Sequence, residues 1–326
     1  MLSLVRSIPD QLEHNWKQSA SVIKEISKST PAQIAICGMG GSGISGDLIR
    51  GLLLYSSSVP LEVVKDYSLP TWIRKDAFAV VISYSGNTEE TLSLWDECSK
   101  MQIPRLALSS GGRLTERALS EGVAVIKIPP GYPPRASIGY LFSACLRLVH
   151  HWGLYPDADK ELFAATALIR SRIEEWCKEA SALASSLKGR FPLIHSLDVR
   201  FAPLAYRMVC ELNENAKELA HFHTYSEMNH NELNGFEGGV DENAVIVILD
   251  AGKDFTHPRN QRRAEIIEEA LPRVPRYKIK AEGETLLERM LSLLIKGDLV
   301  SVYLAEFKGI DPEPVNMIEN LKRELG

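Results

Sequence analysis

Short apolar runs alternate along the chain with longer stretches in which apolar residues recur every three or four positions. The first pattern predicts buried strands and the second amphipathic helices. Their alternation predicts βαβ units around a parallel sheet. In the first half the strand positions are 33–37, 61–65, 78–82, 105–108 and 124–128, with helices at 42–54, 87–101 and 113–120. After the loop Pro129-Pro130-Gly131-Tyr132-Pro133-Pro134 come helical stretches at 138–152 and 160–187. The rhythm then restarts, with strands at 191–195, 244–249 and 277–280 and helices at 199–218, 285–305 and 314–325. The expected fold is α/β, as two doubly wound parallel-sheet domains, 1–153 and 154–326, joined around residues 150–160.

Composition narrows the function classes. The 326 residues, 45% hydrophobic and 24% charged, suit about two globular domains. Lys plus Arg is 37 against 42 Asp plus Glu, a net charge of −5, so no basic footprint marks a nucleic-acid partner. The N-terminus lacks the apolar run of a signal peptide, and no stretch reaches the ~20 apolar residues of a bilayer span. Five scattered cysteines, Cys37, Cys98, Cys145, Cys177 and Cys210, form no CxxC pair. They predict free thiols, and the expected location is a reducing cytoplasm.

Two strand-to-helix turns carry candidate chemistry. After the first strand, Gly38-Met39-Gly40-Gly41-Ser42-Gly43 satisfies GxGxxG and leaves backbone amides and a helix N-terminus bare for an anion. Glu62 or Asp66 would then suit a ribose, which makes an NAD-dependent oxidoreductase one reading. A tight turn without ligand is another. The second turn, Ser83-Tyr84-Ser85-Gly86-Asn87-Thr88, sets three hydroxyls around one glycine. Hydroxyls and free amides make a neutral cradle for a phosphate dianion. Asn87 is the expected N-cap of the helix that follows, and Glu89 and Glu90 suit its dipole.

The second turn resembles the phosphosugar-binding loop of sugar isomerase (SIS) domains, doubly wound flavodoxin-like α/β domains that hold sugar phosphates. By that resemblance Ser42 also faces the sugar phosphate, and the dinucleotide reading becomes the alternative.

The second half offers Asn213-Glu214-Asn215 and, sixteen residues on from Glu214, Asn229-His230-Asn231. Alone, Glu214 reads as a solvated helix carboxylate and His230 as a loop histidine. His221 and His223 would share a side only in a strand, and no acid or third histidine sits at a familiar ligand spacing, so no metal is expected. Together with Pro134-Arg135-Ala136-Ser137-Ile138-Gly139-Tyr140 and the ending Gly309-Ile310-Asp311-Pro312…Lys322, these motifs resemble bifunctional phosphoglucose/phosphomannose isomerases. The resemblance runs from residue 38 to the end. It implies an aldose–ketose isomerase acting through a cis-enediol, with no metal and no cofactor. Glu214 would be the base, with His230 and Lys322 opening the ring and Arg135 stabilising the enediolate. Gly41, Ser42, Ser83, Ser85 and Thr88 would hold the sugar phosphate, Arg135 assisting. It also implies a homodimer in which His230 comes from the neighbouring subunit. A sugar-phosphate-binding regulatory protein needs the cradle but no Glu–His pair, and stands as an alternative beside the oxidoreductase.

Overall fold

The computed structural model describes residues 1–239 and 243–325. The chain divides into two compact units. One holds Arg6–Ser171 with Gly283–Glu288; the other holds Met1–Val5, Arg172–Glu282 and the chain from Arg289 onward. Among the described residues no helix is long and apolar enough to cross a membrane.

The chain opens with α1 (Leu2–Arg6), α2 (Ile8–Gln18) and α3 (Ala20–Ile23), none of which the apolar pattern predicts. In α2 the buried side includes Gln11 and Asn15, which break its hydrophobic stripe. Each spends its amide nitrogen on a carbonyl of the segment 134–151, while Gln11 Oε1 and Asn15 Oδ1 are buried without a hydrogen-bond partner. Asn15 Nδ2 donates to the Tyr140 carbonyl at 2.7 Å and Gln11 Nε2 to the Ala136 carbonyl at 2.9 Å. These two bonds recover part of what the buried amides lose to water.

The first sheet contains β1 (Gln33–Cys37), β2 (Leu61–Val64), β3 (Ala77–Ile82), β4 (Arg105–Ser109) and β5 (Val125–Lys127). Its order is β2-β1-β3-β4-β5, and every pair is parallel. All six residues of the central strand β3 are buried, which is why it reads as a continuous apolar run. Around the sheet lie α4 (Gly40–Leu53), α5 (Glu89–Lys100), α6 (Gly112–Ser120), α7 (Ile138–His151) and the first part of α8 (Ala158–Leu187). The strand order reverses between β1 and β3, so the crevice at their carboxyl ends is where such sheets bind ligands.

The second sheet has the order β7-β6-β8-β9, again all parallel. It is built from β6 (Phe191–Ser196), β7 (His221–Thr224), β8 (Ala244–Asp250) and β9 (Arg276–Lys280). The helix expected at 199–218 is a 3-10 turn followed by α9 (Ala202–Asn215); it stops early because Lys217 adopts φ 51°. Two short helices, α10 (Tyr225–Met228) and α11 (Glu232–Gly235), follow β7, and α12 (Pro258–Ala270) precedes β9. The chain ends with α13 (Leu286–Lys308) and α14 (Asn316–Leu325). Strand β7 and helix α12 are unpredicted because β7 has no buried residue and α12 buries only Ala264 and Ile267.

A buried ion network fixes α9 on α13. Arg207 donates to both Asp298 oxygens, at 2.9 and 2.7 Å, and lies 3.0 Å from a Glu211 oxygen. Burial alone would lower the Arg207 pKa; the two carboxylates outweigh it and hold the guanidinium charged. Asn215 extends the network, donating to Glu211 and to Ser301 Oγ at 2.9 Å each.

The turn after β3 is held from outside its own helix. Gly86 has φ 72°, and a Cβ there would lie 1.8 Å from the carbonyl oxygen of Gly111, in the turn between β4 and α6. The Gly86 carbonyl accepts from Leu114 N and the Asn87 side chain from Arg113 N, at 2.9 and 3.1 Å. Asn87 therefore serves the start of α6, not α5 as the sequence suggested. The reason is the neighbour: α6 has Gly111 at its N-cap, with no side chain to offer. Gly86→Ala is expected to cost more than the roughly 1–2 kcal/mol of a left-handed alanine alone, because Gly111 cannot withdraw. Gly122, at φ 67° with open space around it, is the control. Urea midpoints should fall further for Gly86→Ala than for Gly122→Ala; equal losses would refute the docked turn.

Candidate active site

Three backbone approaches assemble the first-unit candidates. A Cβ at Gly38 would lie 2.9 Å from the Ile82 carbonyl oxygen, so the turns after β1 and β3 touch through glycine. A Cβ at Gly43 would lie 2.4 Å from the Gly38 carbonyl, and one at Gly41 would lie 3.3 Å from the Pro134 carbonyl and 3.4 Å from Arg135 Cα. The 3-10 turn Pro134–Ser137, carrying Arg135, is thereby set against the first glycine loop. Arg135 itself is 3% exposed and Ser42 6%.

The second loop is pre-shaped by its own hydroxyls. Ser83 Oγ lies 2.9 Å from Thr88 Oγ1 and accepts from Gly86 N at 3.0 Å. Ser85 Oγ accepts from Asn87 N at 3.2 Å and is exposed. Thr88 is the N-cap of α5 yet its side chain caps none of the first-turn amides. Helix α4 likewise begins without a side-chain cap. Two twelve-residue-or-longer helices thus present N-terminal amides at adjoining turns, the arrangement an anion needs.

Three neighbours of this cradle lie outside the residues singled out from sequence. Lys65, after β2, packs its Cε where a Gly43 Cβ would be, and its ammonium pairs with the buried Asp47 carboxylate. A charge is therefore present near the glycine loop, but it is already matched. Ser109 and Ser110 close the other side: Ser110 N and Oγ donate to the Tyr84 carbonyl at 3.0 and 2.6 Å. The Ser109-Ser110-Gly111-Gly112 run after a strand was a visible signal for this third turn.

In the second unit Glu214 lies in the last turn of α9, half-buried, and its carbonyl accepts from Lys217 Nζ at 2.7 Å. Two nearby carboxylates are committed elsewhere. Glu211 is buried against Arg207 and Asn215, and Glu218 pairs with Lys308. That second pair also commits Lys308, the last residue of α13. Lys322 sits exposed on α14, a helix with no buried residue.

His230 lies exposed in the turn between α10 and α11, beside a hollow of about 500 Å3. Its other walls are Asn229, Asn231, Leu233, Asn234 and Glu237, so neither Glu214 nor Lys322 lines it. Glu232 ties this turn to the sheet. It accepts from His195 Nε2 at 2.8 Å and from His221 Nε2 at 3.2 Å, so both of those nitrogens carry protons. Burial pushes the Glu232 carboxyl up, but the His195 hydrogen bond and the nearby His221 and His223 outweigh it and hold it below its ordinary value. Strand β7 does place His221 and His223 together, with ring centroids 5.9 Å apart. Among the described residues no group of three or more His, Cys, Asp or Glu is placed to hold a metal ion.

Comparison with known proteins gives this geometry a family. The family model for the bacterial phospho-glucose isomerase C-terminal SIS domain matches residues 177–325. The chain is 38% identical to the bifunctional phosphoglucose/phosphomannose isomerase of Aquifex aeolicus (strain VF5), over 90% of each chain. It is 32% identical to the protein of the same name from Caldicellulosiruptor bescii, over 100% of this chain and 98% of that one. Among solved structures it is similar to the C-terminal domain of glucosamine-fructose-6-phosphate aminotransferase from Francisella tularensis. That likeness has a TM-score of 0.75 over 96% of this chain and 98% of the other, at 16% identity, and so speaks to the fold alone. Two parallel-sheet units, hydroxyl-lined turns at a switch point and close full-length relatives agree: the chain belongs to the bifunctional phosphoglucose/phosphomannose isomerase family.

Proposed function

We propose that this protein interconverts glucose 6-phosphate and fructose 6-phosphate, and mannose 6-phosphate and fructose 6-phosphate, through a cis-enediol. The observation that carries the reading is the Ser83–Thr88 cradle at the uncapped start of α5, beside a glycine loop and the Arg135 turn. Gly41, Ser42, Ser83, Ser85 and Thr88 hold the sugar phosphate. A cradle of hydroxyls and amides binds the phosphate without a lysine and leaves cationic charge for the reacting end of the sugar. The family's full-length relatives favour this over a dinucleotide at the first glycine loop or a regulator without chemistry.

Glu214 takes the proton from C2 of the aldose and delivers it, or a solvent proton that has exchanged with it, to C1, while the O2 hydroxyl proton passes to O1, giving the ketose; the reverse step runs the same path. Arg135 stabilises the enediolate as charge develops. His230 and Lys322 exchange protons with the ring oxygen and C1 hydroxyl to open the ring. Glucose and mannose 6-phosphates are C2 epimers that share one enediol, so one base serves both. Side chains supply each of these roles, and the mechanism calls on neither metal nor cofactor.

We assign the working form as a homodimer with His230 donated across the interface. The His230 hollow without Glu214 in its walls supports this. So does α14, which exposes Met317, Ile318, Leu321 and Leu325 along its length. Five free cysteines, four of them buried, suit work in a reducing cytoplasm.

Ser85→Ala combined with Thr88→Ala removes two hydrogen bonds to a dianion, each worth about 1.5–3 kcal/mol. KM for fructose 6-phosphate should rise at least tenfold, in a coupled assay for glucose 6-phosphate; an unaltered KM would move the phosphate elsewhere. Glu214→Gln keeps the shape of the base but not its function. Its kcat should drop by roughly 10²–10⁴-fold with KM little changed, and for glucose and mannose 6-phosphates alike. Near-normal turnover of either sugar by Glu214→Gln would overturn the assignment.

A further inference from the structure

Between Ser83 and Ser85 stands Tyr84, a residue that the phosphate cradle does not use. It is 7% exposed, and its hydroxyl points out of the cradle to a different loop. That hydroxyl donates to the Pro129 carbonyl at 2.9 Å and accepts from Tyr132 N at 2.9 Å. Both partners belong to Pro129-Pro130-Gly131-Tyr132-Pro133-Pro134, the segment leading into the Arg135 turn.

That segment cannot tie itself down. Four of its six residues are proline and lack an N–H, so only Gly131 and Tyr132 have amides to donate. One of those two goes to Tyr84. The far end of the Arg135 turn is fixed separately, by Gln11 donating to the Ala136 carbonyl. Downstream, the Tyr132 hydroxyl lies 3.2 Å from that of Tyr140 on α7. The backbone of Tyr84, meanwhile, is held by Ser110 and not by the proline loop. One side chain therefore couples two loops whose backbones have independent anchors.

We propose that Tyr84 is a positioning residue: its hydroxyl sets the proline loop so that Arg135 stands against Gly41 while the cradle keeps its own shape. The idea rests on the isomerase reading for its kinetic consequence, though not for the clamp itself. Burial raises the Tyr84 pKa, so the hydroxyl keeps its proton through neutral pH. The role is one of geometry, exerted through Arg135.

Tyr84→Phe keeps the ring and deletes the clamp. Two neutral hydrogen bonds are lost, and kcat for fructose 6-phosphate should fall about 5–30-fold. Inhibition by inorganic phosphate should stay within about twofold, because Ser110, Ser83 and Thr88 still shape the cradle. In an Arg135→Lys background, adding Tyr84→Phe should change kcat by less than about twofold, since the effect acts through Arg135. Equal losses in both backgrounds, or phosphate inhibition weakening in step with kcat, would overturn the proposal. Hydrogen exchange of the Tyr132 amide reads the clamp without any substrate and should accelerate at least about fivefold in Tyr84→Phe. Unchanged exchange defeats the clamp. A wild-type protein that leaves fructose 6-phosphate untouched defeats the functional reading instead, whatever the exchange result.

Discussion

Everything placed around the cradle depends on backbone meeting backbone where a side chain would block it. Gly38 lies against the Ile82 carbonyl, Gly41 against Pro134 and Arg135, and Gly86 against Gly111. These contacts bring the turns after β1, β3, β4 and β5 to one edge of the first sheet. None is a hydrogen bond, and none contributes much energy by itself. They act by exclusion: a Cβ at Gly38 or Gly86 would push the turns apart, and one at Gly41 would sit tightly against Pro134 and Arg135. What results is a surface of amides and hydroxyls at the strand-order reversal, built before any ligand arrives.

Charge is handled in the opposite way, by early commitment. Lys65 is matched by Asp47, Arg207 by Asp298 and Glu211, and Lys308 by Glu218. Each pair removes a charge from competition while fixing an element: β2 to α4, α9 to α13, and the end of α13 to the segment after α9. Of the three, the Arg207 network is the fully buried one; such a network adds little net stability, yet losing one partner is costly.

The main strands of both sheets were legible, because β1, β3 and β8 are buried on both faces and read as unbroken apolar runs. The elements that escaped share one cause, a buried face too sparse or too polar to register. In α2 the buried face carries Gln11 and Asn15; β7 buries nothing; α12 buries two residues. The cradle was legible because hydroxyls cluster visibly around Gly86. The reach of Asn87 to α6 and of Tyr84 to Pro129 was not, because both bonds join residues more than 25 positions apart. Local rules assign a polar side chain to its own helix, and tertiary neighbours reassigned both.

The central claim is that one enediol links three sugar phosphates in this protein. Proton NMR of fructose 6-phosphate incubated with it in D2O tests this most directly. The account predicts signals of both glucose and mannose 6-phosphates, with deuterium entering at C2 as the enediol collects protons from solvent. Fructose 6-phosphate left unchanged, or aldoses formed with C2 fully protonated throughout, would contradict it.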